Sequence, residues 1–158
     1  MTRRDFRFVH TLRVRWAEVD KQDIVFNGHY LTYFDVAITE YWRCIGVPYP
    51  GVTERWGTDL FVVKAGIEYH GPAHYDDILD IGVRVARIGN SSMHFVLGIF
   101  RGGQHLIGGE LIYVNAVPTT RKASPVPSEL RELIDAYENE VSVEANAGII
   151  GVKRSGRS

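Results

Sequence analysis

One run of helical period set among runs of strand period constrains this chain most. From Tyr30 apolar residues recur every fourth position at Tyr30, Phe34, Ile38 and Trp42, and Val36, Ala37, Tyr41 and Ile45 widen that surface until Gly46 and Pro48 end it. A helix apolar around most of its circumference needs other elements about it, so the remaining chain is expected to enclose this one. That remainder has the two-residue period. Phe8, His10, Leu12, Val14 and Trp16 alternate with Arg7, Val9, Thr11, Arg13 and Arg15, the repeat of a half-buried strand. Leu60 to Tyr69, Ile78 to Ile88, Met93 to Arg101 and His105 to Val117 also read as strands. Gly71-Pro72, Gly89-Asn90 and Gly102-Gly103 supply turn chemistry between them, which predicts an antiparallel meander for the last three. Pro125 and Pro127 mark a break, and Ser128 precedes Leu130, Leu133, Ile134 and Tyr137 at helical spacing, the pattern of a short amphipathic C-terminal helix. One long helix and five strands share one core if the sheet curls around the helix, an α+β arrangement. Residues 1–141 are expected to form one domain. Residues 142–158 lose periodicity and end in a small basic stretch, and a flexible tail is expected there.

With 158 residues, 45% apolar and a net charge of −1, the chain has the composition of an ordinary globular domain. Nucleic acid and acidic membrane surfaces call for a cationic excess that is missing, so neither is expected as a partner. No apolar run has the length of a signal peptide or a membrane span. The single cysteine, Cys44, excludes an intrachain disulfide and suits a reducing compartment, so a cytoplasmic location is expected. Its place late in the apolar helix reads as buried packing.

The chemistry concentrates in Asp20-Lys-Gln-Asp-Ile-Val-Phe-Asn-Gly-His-Tyr30, a loop that puts a carboxylate just ahead of the long helix. A helix start offers unpaired backbone N–H groups to an oxygen that gains negative charge, and a nearby carboxylate offers a base or a nucleophile. The bland reading of Asp20 is a capping or turn residue. Asn27 suits either a helix cap or an amide that orients a reactant. His29 suits either a proton donor or a locally packed ring. His70 and His74 have ligand-like spacing, but Pro72 between them breaks any shared helical face and no further ligand set is recognisable, so no metal and no cofactor are expected. No Gly-x-Ser-x-Gly, Walker or Gly-x-Gly-x-x-Gly pattern is present.

At these residues the chain resembles the hotdog-fold 4-hydroxybenzoyl-CoA thioesterase-like acyl-CoA thioesterases, over roughly Phe8 to Leu133. Glu18 matches the first acid of that family's opening motif and Asp20 its catalytic aspartate. Ile24, Val25 and Phe26 match its apolar trio, Asn27 its His/Asn position, and Tyr30, Tyr33, Phe34 and Asp35 its helical residues. A second block, Ile67-Glu-Tyr-His-Gly-Pro-Ala-His-Tyr-Asp-Asp-Ile-Leu79, resembles the family's Tyr-x-x-Pro-Ala-x-x-Asp-Asp-x-Leu segment. Two departures stand out. Asp23 occupies a usual glycine position, and Gly89-Asn90-Ser91-Ser92 replaces basic residues that hold coenzyme A phosphates in some members.

The resemblance implies a five-stranded antiparallel sheet wrapped around a long central helix, hydrolysing acyl-CoA to free acid and thiol. It implies Asp20 as general base or nucleophile, and backbone N–H groups near Gly28, His29 and Tyr30 as the oxyanion site, with Asn27 beside them. Tyr30, Tyr33, Arg87, Ser91 and Ser92 are the expected substrate contacts, with Arg84, Arg101, Arg121 and Lys122 as further candidates for phosphate. A sheet that spends one face on its helix leaves an edge and a face to cover, so a homodimer or homotetramer with the site at a subunit interface is expected. Alternatives are an acyl-carrier-protein thioesterase, a hotdog hydratase, which expects a histidine where Val25 stands, and a non-catalytic acyl-CoA sensor.

Overall fold

The computed structural model describes residues 1–139, so the expected tail lies outside the described residues. In chain order the elements are β1 (Phe8–Arg13), α1 (His29–Cys44), α2 (Gly51–Trp56), β2 (Asp59–Tyr69), β3 (Ile78–Ile88), β4 (Ser92–Arg101) and β5 (Gln104–Ala116). Residues 128–139 form a C-terminal helix. The five strands make one antiparallel sheet in the order β1-β3-β4-β5-β2. The meander of the last three strands is as the turn residues predict, with Val83 opposite Leu97 and Leu97 opposite Gly109. β1 extends the sheet along β3, where Phe8 pairs with Val83, and β2 extends it along β5, where Leu60 pairs with Asn115.

The curl around α1 follows from side-chain size. Phe34 is fully buried at the centre of the helix, and a Cβ built on Gly109 of β5 would stand 2.4 Å from its ring. Glycine there lets the aromatic ring lie directly on the strand backbone. Tyr33, Ala37, Ile38, Tyr41 and Trp42 complete the buried face of α1, against Ile81, Val83, Phe95, Leu97 and Leu111 from the sheet. The C-terminal helix closes the far end through buried Leu130 and Ile134. Its Glu138 carboxylate accepts the Tyr41 hydroxyl at 2.8 Å and the Val85 amide at 3.1 Å, the latter at the bulge between Val85 and Arg87. A long helix cupped by a curled antiparallel sheet is the hotdog architecture that the resemblance implied.

Four details differ from the sequence reading. β1 stops at Arg13: the Val14 amide still meets the Asp77 carbonyl in register, but Asp76, at φ 69°, turns its amide back to the Val14 carbonyl and Trp16–Glu18 form a 3-10 turn. Trp16 is therefore 80% exposed, edge-on to Tyr75, instead of sharing the inner strand face. α2 has no counterpart in the sequence reading, since its six residues are too few to show a helical period. Leu31 and Val36 stay exposed, so α1 is covered on one side only within a single chain. Cys44 is exposed at the last turn of α1 beside the Tyr137 hydroxyl, not a buried packing residue. Among the described residues no helix is long and apolar enough to cross a membrane.

Candidate functional site

The Asp20 loop is a tight, internally bonded structure. A bridge between Val19 and Val25 closes its base, the Asp20 amide donates to the Ile24 carbonyl at 3.0 Å, and the Asp23 amide donates to the Asp20 carbonyl at 3.0 Å. One oxygen of the Asp20 carboxylate accepts the Gln22 amide at 2.7 Å. Asp23 sits at φ 61°, the left-handed region, which explains why glycine suits this position; aspartate is among the side chains that tolerate it. Two anchors hold the loop down: the Phe26 amide on the Glu18 carbonyl and the Val25 amide on the Ala73 carbonyl, each at 2.9 Å.

Glu18 is a buried brace beneath this loop. Its carboxylate accepts the Arg15 amide at 2.7 Å and the Arg15 guanidinium at 3.0 Å. Burial alone would raise its pKa; the Arg15 hydrogen bonds and the neighbouring Tyr33 hydroxyl outweigh that and hold it below the usual carboxylate value. The Tyr33 hydroxyl lies beside Glu18 without a hydrogen bond of standard geometry, and burial followed by the Glu18 charge keeps it strongly protonated.

α1 starts without a side-chain cap. Gly28 is the cap residue, at φ −70° and ψ −21°, and the Asn27 side chain is exposed and does not take that role. The Asn27 carbonyl accepts the Tyr69 hydroxyl at 3.1 Å instead. Of the three amides singled out in the sequence, that of His29 is occupied by the Phe26 carbonyl at 2.9 Å. The Gly28 amide has no acceptor among the described residues, and the Tyr30 amide, in the first turn, has no intrahelical acceptor. Glycine at position 28 also makes room for Phe26, whose ring would stand 2.9 Å from an added Cβ. The Tyr30 hydroxyl accepts the Ala73 amide at 3.1 Å, pinning the helix start to the segment before β3.

These pieces surround a cleft of about 320 Å3. Asp20, Asn27 and Tyr30 line one side, and Tyr69, His70 and Pro72 the other. The second side was not picked out as a site by sequence reasoning, although the Ile67 to Leu79 block carries it. Tyr33 and His29 do not line the cleft: Tyr33 turns to Glu18, and His29 packs edge-on to Phe26. Arg87, Ser91 and Ser92 lie at the β3–β4 turn, where Arg87 borders a separate depression with Arg131 and Asp135. The Ser91 and Ser92 carbonyls there accept the Asn115 and Gly89 amides. Arg101 is engaged by Asp77 at 2.7 Å and by Gln104 at 3.0 Å. The two histidines of the block go separate ways, His70 to Glu68 and His105, His74 to Asp77 and Arg101.

Comparison with known proteins adds to this geometry. The family model described as Thioesterase superfamily matches residues 22–107, more than half of the chain. A putative esterase of Aquifex aeolicus is 29% identical over 94 residues, 60% of this chain and 73% of that protein. The acyl-CoA thioesterase YbgC of Haemophilus influenzae is 26% identical over 97 residues, 61% of this chain and 71% of its own length. The solved structure of the PA5185 protein from Pseudomonas aeruginosa superposes with a TM-score of 0.75 at 27% identity, covering 85% of this chain and 94% of the other. With the family matched from Gln22, two residues after Asp20, through α1 and β2 to β4 into the start of β5, the chain belongs to the thioesterase superfamily and is a thioester hydrolase of hotdog fold.

Proposed function

We propose that this chain hydrolyses acyl-CoA thioesters in the cleft between the Asp20 loop and the start of α1. The observation that carries the reading is the Asp20 carboxylate lining the same cleft as the start of a helix whose Gly28 amide has no acceptor among the described residues. Hydrolysis must stabilise charge on the thioester oxygen and deliver an oxygen to the carbonyl carbon. The Gly28 and Tyr30 amides supply the first, since the His29 amide is already bonded. Asp20 supplies the second by one of two routes. As a base it takes a proton from water while the water oxygen bonds to the carbonyl carbon; the C–S bond then breaks and the thiolate leaves with a proton. As a nucleophile it forms a mixed anhydride as the C–S bond breaks, and water cleaves that anhydride. Asn27, on the cleft wall, orients the water or the carbonyl.

Coenzyme A as the thiol follows the Haemophilus influenzae relative, which is named as an acyl-CoA thioesterase. Arg87, Ser91 and Ser92 lie off the cleft of their own protomer, and we assign them to coenzyme A contacts across a homodimer or homotetramer interface in the cytoplasm. A panel of acyl-CoA and acyl-carrier-protein thioesters with free-thiol release as readout tests the reading. The Asp20→Asn variant is expected to keep its circular dichroism and oligomeric state while losing at least about 100-fold in kcat/KM. Wild-type turnover in that variant removes Asp20 from the chemistry. Turnover of carrier-protein thioesters alone replaces coenzyme A as the thiol.

A further inference from the structure

A second cleft of about 320 Å3 lies beside the middle of α1, away from the Asp20 loop. Buried Ile38, Trp42 and Tyr113 form its floor, and Asp35, Tyr49 and Asp59 stand at its mouth. Among the described residues no lysine, arginine or histidine lines it. Neither Asp35 nor Asp59 has an ion-pair partner among the described residues. The Asp59 carboxylate accepts the Leu60 amide at 2.8 Å and the Tyr49 hydroxyl at 3.2 Å. Both carboxylates act on Tyr49, Asp59 more strongly, and raise its pKa.

Tyr113 separates this cleft from a merely solvated acidic patch. It is nine-tenths buried, it lines the cleft, and its hydroxyl has no hydrogen-bond partner among the described residues. That hydroxyl is not among the fully occluded polar atoms, so it opens into the cleft. Burial first and the Asp35 charge second push its pKa up to about 12, which keeps it a neutral phenol beside a carboxylate. A buried phenol ordinarily finds a partner. Here no protein group among the described residues fills that role, so the phenol is open to an occupant of the cleft.

The ligand follows from charge and shape. Two uncompensated carboxylates repel an anion and attract a cation. The rings of Trp42, Tyr49 and Tyr113 favour an organic ammonium, which couples to aromatic faces while its N–H groups donate to Asp35 and the Tyr113 oxygen. Helix geometry then connects this cleft to the Asp20 cleft. Asp35 follows Gly28 by seven residues, which is two turns along the same face and about 10 Å along the axis. Leu31, outside the lining of both clefts, lies between them on that face and is 41% exposed, an apolar surface for a chain of methylenes to cross. We infer that the Asp35–Tyr113 cleft holds an ammonium group at the far end of the acyl chain, making ω-aminoacyl thioesters the preferred substrate class. This assignment rests on the thioesterase reading above.

The test compares ω-aminooctanoyl-CoA, ω-hydroxyoctanoyl-CoA and octanoyl-CoA at neutral pH. Wild type is expected to favour the amino substrate over both others by about 10-fold or more in kcat/KM. Asp35→Asn, at an exposed position, is expected to cut the amino-to-unsubstituted ratio by about 10-fold, and Tyr113→Phe by about 3-fold. A wild-type preference for the hydroxy or unsubstituted chain overturns the inference while leaving the thioesterase reading intact, and so does an unchanged ratio in Asp35→Asn. If no thioester is turned over, the thioesterase reading falls and the cleft is tested alone by amide chemical-shift titration with hexylammonium against hexanol. Tighter hexylammonium binding, centred on Asp35 and Tyr113 and lost in Asp35→Asn, supports the ammonium site; equal or weaker binding overturns it.

Discussion

Asp23 and Glu18 hold the Asp20 loop by different means, one through backbone conformation and the other through charge. At φ 61° Asp23 occupies a conformation that β-branched side chains resist. Asp23→Val is therefore expected to destabilise the protein by about 1–3 kcal/mol. Asp23→Gly trades relief of the left-handed conformation against extra freedom in the unfolded chain and is expected to stay within about 1 kcal/mol. Urea unfolding of both variants measures this, and equal losses would remove the conformational account. Glu18 has its folded-state pKa depressed by Arg15 and Tyr33 against the opposing effect of burial. A depressed carboxyl contributes stability that is fully present above its unfolded value near 4.5 and is lost as pH falls through the lower folded value. The Tm gap between wild type and Glu18→Gln is thus expected to be constant near neutrality and to close on acidification below that value. A gap that widens instead would show that Glu18 is held by burial alone.

Phe34 on Gly109 is the contact that seats α1 in the sheet, and it also shows what a sequence can and cannot disclose. The four-residue recurrence through Phe34 marks a buried helix, and the two-residue runs mark the strands, because each period reports which side of an element leaves water. Phe34→Ala is expected to cost about 3–5 kcal/mol by leaving a cavity. Gly109→Ala is expected to cost about 1–3 kcal/mol by driving a methyl into the same ring. If Gly109→Ala unfolds in urea like wild type, the close approach of ring and strand is wrong. That Gly109 lies under Phe34 was not legible, since register across strands far apart in sequence is set by the assembled core and not by either segment's own pattern. That Asp20 stands close ahead of the helix start at Gly28 was legible because the eleven consecutive residues Asp20 to Tyr30 carry both. Tyr69 and His70 come from the far end of β2, and only the fold brings them to the cleft. Trp16 was misplaced because alternation continues in the sequence past Val14, where the turn at Asp76 and the 3-10 turn at Trp16–Glu18 end the ladder.

The sheet ends in two edges, and β2 is the one that a single chain leaves least protected. It runs for eleven residues with β5 on one side only. Val62 and Val63 are 53% and 60% exposed beside a bulge, while the nearby Lys64 leans to Glu110 instead of guarding the edge. Exposed Val36 on α1 and Phe26 in the loop before it extend the apolar exposure. Unpaired backbone groups next to exposed valines are what a strand edge presents when another chain is to cover it. The proposed site needs that cover too, because the turn bearing Arg87, Ser91 and Ser92 stands apart from the Asp20 cleft of the same protomer. Sedimentation velocity at micromolar concentration is expected to show two or more protomers for wild type. Val63→Asp puts an unpaired carboxylate on the edge and is expected to shift the protein toward monomer, with thioester turnover falling in step with the dimer fraction. Since Val63 does not line the Asp20 cleft, a loss that tracks the dimer fraction marks assembly as the cause. A monomeric wild type, or a monomeric Val63→Asp variant with undiminished turnover, would show that one chain makes a complete site.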